Sequence, residues 1–143
     1  MAARAYEASS VIEAPASTVW DVLVDGASWP EWDSAVVRVD GTIAPGEKVT
    51  VYPEVNPKRG FPVTVVDFEA GRHMVWRGGM PLGLFTGTRT YTLTEQSDGK
   101  VRFDMREEYT GPLAGLIARS IPDLAPSFTR FAAGLKHRAE SGR

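Results

Sequence analysis

The stretch LFTGTRTYTLTE, Leu84 to Glu95, and the stretch KVRFDMREEY, Lys100 to Tyr109, decide how this chain folds. In the first, Thr86, Thr88, Thr90, Thr92 and Thr94 alternate with Phe85, Gly87, Arg89, Tyr91 and Leu93. In the second, Arg102, Asp104, Arg106 and Glu108 alternate with Val101, Phe103, Met105, Glu107 and Tyr109. A period of two is what a pleated strand imposes, so each stretch has one polar face and one aromatic and aliphatic face. Antiparallel partners place same-face residues opposite one another. That parity calls for the loop Ser97-Asp98-Gly99 with Gly99 left-handed, and it sets Arg89 directly across from Glu107.

The hidden face of this hairpin therefore carries one cation and one anion among large apolar side chains. An unpaired charge in an apolar interior costs several kcal/mol or more, so Arg89 and Glu107 face inward only as partners or beside water and ligand. Two readings follow. In one the pair is a structural ion bridge closing a sheet. In the other it is the polar grip on an otherwise greasy ligand, because a pocket has apolar walls with few convergent polar groups. The two are compatible.

Composition narrows the field. At 143 residues the chain is read as one domain, residues 1–143, long enough to bury a core without staples. Apolar residues make up 43% and charged residues 24%, as in globular proteins, and no apolar run nears the roughly 18 residues of a membrane span. Sixteen basic against 18 acidic residues leave a net charge of −2 with no basic block, which argues against nucleic acid as a partner. The start, Met1-Ala2-Ala3-Arg4, runs into a strand pattern and lacks the apolar stretch of a secretory signal. There is no cysteine, and together these features point to the cytoplasm. His73 and His137 fall in different elements, so neither a metal nor any other cofactor is expected. Gly78-Gly79 with Gly83 lacks the Lys and helix of a phosphate loop. A homodimer is left open.

Working outward, Arg4 to Glu13 reads as a first strand with Tyr6, Ala8, Ser10 and Ile12 inward. Pro15 ends it, and Ser17 is expected to cap a short helix carrying Val19, Trp20, Leu23 and Val24 and closed by Gly26. Trp29-Pro30-Glu31-Trp32 reads as a second helical turn that plugs the base of the core. Strands follow at Val36 to Val39, Glu47 to Val55, Pro62 to Glu69 and His73 to Arg77, separated by glycines as in an antiparallel meander. Met74 and Trp76 are assigned inward, whereas residues 62–68 are apolar in both parities and stay unassigned. Pro53 to Gly60 and Gly78 to Gly83 read as loops. After Gly111 the period becomes helical with Leu113, Leu116 and Ile117, and it breaks at Pro122. Asp123 is expected to cap a longer helix with Pro126 in its first turn, a stripe of Leu124, Phe128, Phe131, Ala132 and Leu135, and Lys136, His137 and Arg138 near its end.

In order and spacing, several segments resemble the START-like, or SRPBCC, superfamily of polyketide cyclase/dehydrase and lipid-transport proteins, the helix-grip fold. They are Ile12-Glu13-Ala14-Pro15 with Val19-Trp20 and Leu23, Trp29-Pro30-Glu31-Trp32, Trp76, Arg89-Thr90-Tyr91-Thr92-Leu93, Glu107 to Leu113, and Leu135 to Glu140. The resemblance implies an α+β fold: a seven-stranded antiparallel sheet curled around a long C-terminal helix, two short helices after the first strand, and a hydrophobic cavity between sheet and helix. Similar proteins often have His where Arg89 stands and an acid where Glu107 stands. A permanent guanidinium cation argues against proton shuttling at position 89.

Three functions are weighed. The leading one is binding of a small hydrophobic molecule, polyketide-like, aromatic or acyl, walled by Trp76, Phe85, Tyr91, Phe103, Met105, Phe128 and Phe131. Arg89 and Glu107 would orient its polar end, and Met80 and Leu82 would serve as a mobile lip. The alternative is a polyketide cyclase or aromatase that acts by positioning a bound poly-ketone. Its acid–base candidates are Glu107, Tyr91, Tyr109 and Tyr52, with Glu107 weakened as a base by Arg89. The third is an interaction module like the chaperone activators of this superfamily. That superfamily is too broad for fold alone to name the activity.

Overall fold

The computed structural model describes residues 4–141, so the expectation for Met1 to Ala3 lies outside the described residues. Strand β1 (Arg4–Ile12) leads into helix α1 (Ala16–Val24) and a 3-10 segment (Gly26–Glu31). Then come β2 (Val36–Asp40), β3 (Lys48–Pro53), β4 (Phe61–Glu69), β5 (His73–Met80), β6 (Phe85–Glu95) and β7 (Val101–Thr110). Helices α2 (Ala114–Ala118) and α3 (Ala125–Ser141) finish the chain. The sheet order is β1-β7-β6-β5-β4-β3-β2, with every neighbouring pair antiparallel. Strands two to seven form a meander, and the first strand closes against the last.

The β6–β7 hairpin has the register that parity requires. Glu95 pairs with Val101 and Arg89 with Glu107, and Gly99 turns the chain at φ +83°. Tyr91, Leu93, Val101, Phe103, Met105 and Tyr109 are buried, while the threonine row and the alternating charges of β7 face outward. Arg102 pairs with Asp104, and Arg106 with both Glu108 and Glu7, so the charges on that outer face are locally neutralised. The inward assignments of Tyr6, Ala8, Ser10 and Ile12 in β1, and of Met74 and Trp76 in β5, also hold.

Several local expectations are corrected. Pro15, in extended conformation, is the N-cap of α1, and its carbonyl accepts the first helical bond from Val19 at 3.1 Å. Ser17 lies one residue inside the helix and caps nothing. Asp25 closes α1, and Gly26 instead begins the 3-10 segment, buried against Val39 and Ile43. Strand β5 runs on to Met80, which pairs with Phe85, leaving only Pro81–Gly83 as a turn. In α2 it is Ala114 and Ala118 that are buried, and Leu116 is 66% exposed, because so short a helix lies on its small-residue side. Tyr52 shares no face with buried Val49 and Val51; it lies under the Arg38 guanidinium, 4.2 Å from its ring centre. The unassigned strand β4 has a bulge between Val65 and Asp67. Val63 and Val65 point inward before it and Phe68 after it, so inwardness changes parity mid-strand.

Helix α3 lies chiefly over β1 and touches α1 and β7. Asp123 Oδ1 accepts from the Ala125 amide at 3.0 Å, as expected of a cap. Phe128, Phe131, Ala132 and Leu135 are buried in its stripe. Above them, the Trp29 ring stacks on Trp76 at 5.7 Å and 7°, and meets Phe131 edge-on at 4.9 Å. Tyr91 contacts Trp76, Phe103 and Phe131 at 5.1–6.2 Å. The Trp29 indole donates to the Leu23 carbonyl at 3.1 Å, so its one polar side-chain atom is satisfied.

Candidate functional site

The charged pair sits at the inner face of β6 and β7, toward the end of the sheet nearest α2. Arg89 Nε donates to Glu107 Oε1 at 2.8 Å, and the Tyr109 hydroxyl donates to Glu107 Oε2 at 2.5 Å. Arg89 Nη1 donates to the Tyr91 hydroxyl at 3.3 Å, and the guanidinium carbon lies 4.8 Å from the Phe128 ring centre. Both oxygens of the carboxylate are thereby engaged. The guanidinium keeps donors in reserve: among the described residues Nη2 has no hydrogen-bond partner. The two side chains are 18% and 14% exposed, so the pair is neither sealed in the core nor free in water.

Electrostatics follow from this half-closed position. Burial disfavours the Arg89 cation, but the charge of Glu107 and the Tyr91 hydroxyl outweigh it, so the guanidinium is held above its usual range. Burial raises the Tyr109 hydroxyl, and neighbouring Glu107 raises it further, against a weaker opposing pull from Arg89. Burial also raises Tyr91, with Arg89 opposing. The ensemble is a fixed cation, a fully engaged carboxylate and two protonated phenols. It offers donors to an oxygen acceptor and has no free base.

The structure divides the residues named from the sequence into two groups. Trp76, Tyr91, Phe103, Met105 and Phe131 are at most 2% exposed and pack on one another with Trp29. Phe85, Arg89, Glu107 and Phe128 gather at the half-open end. Two further aromatics belong with them. Tyr109 stacks on Phe85 at 5.5 Å and 21°. Tyr6 stands edge-on to Tyr109 and Phe128 at 6.3 and 6.0 Å and accepts from Arg4 at 2.9 Å. Tyr109 shares the parity of Glu107, a signal visible in the alternation. Tyr6 becomes a neighbour only because β1 pairs with β7, where it is the partner of Glu107.

This end is roofed by the chain between β7 and α3. Helix α2 touches β1, β6 and β7, and the Leu113 amide donates to the Leu84 carbonyl at 2.9 Å. In the connection between α2 and α3 the hydrogen bonds to β1 are long, from Arg4 to the Ile121 carbonyl at 3.4 Å and from Tyr6 to the Pro122 carbonyl at 3.5 Å. Met80, Leu82 and Leu116 are exposed apolar residues, Leu82 at 95%. Two open grooves lie elsewhere. One of about 410 Å³ runs beside Trp32, Gly134, His137 and Arg138, and one of about 680 Å³ crosses the outer sheet face. Among the described residues no helix is long and apolar enough to cross a membrane.

A curled seven-stranded antiparallel sheet gripping a C-terminal helix defines the helix-grip class of START-like proteins. Residues 4–140 match the family described as polyketide cyclase/dehydrase and lipid transport, and the chain belongs to that family. No curated protein matches the chain. Solved structures do. A hypothetical protein from Helicobacter pylori superposes with a TM-score of 0.77 at 15% identity, over 96% of this chain and 89% of that one. A START superfamily protein from Mycobacterium smegmatis gives 0.68 at 11% identity, over 97% and 99%. The Zhui aromatase/cyclase from a Streptomyces species gives 0.69 at 14% identity, over 96% and 93%. At these identities the likeness is one of fold.

Proposed function

We propose that the chain binds a small, mostly apolar molecule whose oxygen acceptor is held by Arg89. The observation that carries this reading is the spare Nη2 donor on a guanidinium 18% exposed, held by Glu107 and Tyr91 with the Phe128 ring 4.8 Å away. A bridge made only to close the sheet needs no reserve donor. The ligand body lies on the inner sheet face beneath the α2–α3 connection, with Trp76, Tyr91, Phe103, Met105 and Phe131 as the apolar wall behind it. Membership of a family described by lipid transport and polyketide cyclisation supports the same chemistry, an apolar body with oxygen at one end. Glu107 orients Arg89, since both its oxygens are engaged. Should a reaction occur, positioning of a bound poly-ketone would supply it.

Tryptophan-fluorescence titration with 1-acetonaphthone, an aryl ketone, and with dodecanoate tests this reading, alongside mass spectrometry of gently purified protein. A saturable change with at least one probe is expected. The double replacement Arg89→Met with Glu107→Leu should weaken it by about tenfold or more, the worth of a charge-assisted hydrogen bond. Flat titrations with both probes, or binding indifferent to the double replacement, would refute the proposal.

A further inference from the structure

The two most exposed large apolar side chains among the described residues, Leu82 at 95% and Leu116 at 66%, stand at the same end of the molecule. The turn Pro81–Gly83 that carries Leu82 lies against the chain leading into α2. The Leu113 amide donates to the Leu84 carbonyl at 2.9 Å, and a Cβ on Gly111 would come within 2.5 Å of the Gly83 carbonyl oxygen. Met80, which ends β5, and Phe61, which begins β4, are exposed at this end too, where Gly78 packs against the Pro62 carbonyl. Single exposed leucines are ordinary on a protein surface. What sets these apart is the charge around them.

From Gly78 to Thr88 and from Tyr109 to Ala118 there is no charged residue. Exposed cations border these segments: Arg77 precedes the first, Arg119 follows the second, and Lys58 and Arg59 lie in the loop before Phe61. The Arg59 guanidinium is 5.1 Å from the Phe61 ring centre. None of these four cations has an acidic partner among the described residues. The acids at this end are engaged already: Glu107 by Arg89, Glu108 by Arg106, Glu54 by Arg130, and Asp123 as the cap of α3. On a chain of net charge −2, this end is therefore an apolar tip set among unpaired cations.

That combination selects among partners. Strands β5 and β6 stay paired out to Met80 and Phe85, so the tip has no free strand edge to which a peptide could add. Its surplus of positive charge repels a second copy. The surface of an anionic bilayer matches both features at once, because apolar side chains enter the acyl boundary while cations meet the lipid headgroups. We propose that this end of the molecule docks on an anionic lipid bilayer, with Met80, Leu82 and Leu116 inserted and Lys58, Arg59, Arg77 and Arg119 on the headgroups. The contact is peripheral, and it turns the half-open end beside Arg89 toward the bilayer. It does not depend on what Arg89 binds.

Co-sedimentation with vesicles tests this, using phosphatidylcholine mixed with phosphatidylserine and phosphatidylcholine alone. Wild type should bind the mixed vesicles about tenfold or more tightly than the neutral ones, and lose that difference at high salt. Leu82→Asn with Leu116→Gln should weaken binding by about tenfold or more. Arg77→Gln with Arg119→Gln should weaken it by about thirtyfold, about fivefold for each cation. Both proteins should melt near wild type, because all four side chains are exposed and asparagine accepts the left-handed backbone of Leu82, so either carries the test alone. The Arg89→Met/Glu107→Leu protein should bind the mixed vesicles as wild type does. No binding of wild type to mixed vesicles, equal binding to neutral ones, or binding indifferent to both tip variants overturns the docking and leaves the Arg89 reading standing. Vesicle binding lost only in the Arg89→Met/Glu107→Leu protein overturns it too, because the lipid would then be held at Arg89. So does a dimer in gel filtration that the leucine replacements dissolve, since a second copy would then cover the tip.

Discussion

Replacing Arg89 by Leu removes the cation and leaves Glu107 in place, 14% exposed and held by Tyr109 alone. Breaking a fully buried pair costs about 3–5 kcal/mol, and the residual exposure of this one lowers the expectation to roughly 2–4 kcal/mol. Glu107→Leu strands the guanidinium instead, with Tyr91 and the Phe128 face as remaining partners, at a cost of roughly 2–3 kcal/mol. Replacing both by apolar residues of similar volume removes the attraction and both desolvation costs, so the double variant should lie within about 1.5 kcal/mol of wild type. The cycle is then non-additive by at least about 2 kcal/mol. Urea unfolding followed by tryptophan fluorescence gives the free energies. At about 3 °C per kcal/mol for a chain of this size, Arg89→Leu should melt roughly 6–12 °C lower and Glu107→Leu roughly 6–9 °C lower. Single variants that each lose less than about 0.5 kcal/mol, and that add, would mean a solvated pair, and the half-closed site would not exist.

Other outcomes follow from the same structure. Tyr91 and Tyr109 are raised in the folded state, so above about pH 10 the unfolded chain loses protons that the folded chain keeps. Stability should therefore fall as pH rises, by about 1.4 kcal/mol per unit for each of these two tyrosines, and Tyr91 and Tyr109 should ionise on unfolding when tyrosinate absorbance is followed. Trp29→Ala should cost about 3–5 kcal/mol in urea unfolding, because the cluster loses the ring on which Trp76 and Phe131 pack. Trp32→Phe should stay within about 1 kcal/mol of wild type, since the loss of ring area is offset by removing a buried indole N–H with no partner among the described residues. Leu82 is left-handed at φ 62° and 95% exposed. Leu82→Gly trades about 1–2 kcal/mol of backbone strain against about 0.5–1 kcal/mol of chain entropy, so the melting temperature should hold while 1-acetonaphthone binding weakens if the residue is a lip.

The hairpin was legible because its alternation is unbroken over both strands and Asp98-Gly99 supplies the turn; the Arg89–Glu107 pairing then follows from parity alone. Strand β4 was not, because the bulge at Val66 puts apolar residues of both parities to inward use. Tyr6 was assigned inward but could not be joined to Glu107, since pairing of the first strand with the last is a long-range fact. Alternation shows that Trp76, Tyr91 and Phe103 face inward; whether they meet a ligand or each other depends on how far Trp29 and Phe131 reach, which only coordinates give.

A crystal structure of the protein saturated with 1-acetonaphthone tests the central claim most directly. The ketone oxygen is expected within hydrogen-bond reach of Arg89 Nη2, with the rings beneath the α2–α3 connection. A probe bound in the groove beside His137 or on the outer threonine face, or an Arg89 that turns Nη2 into bulk water at saturation, would contradict it.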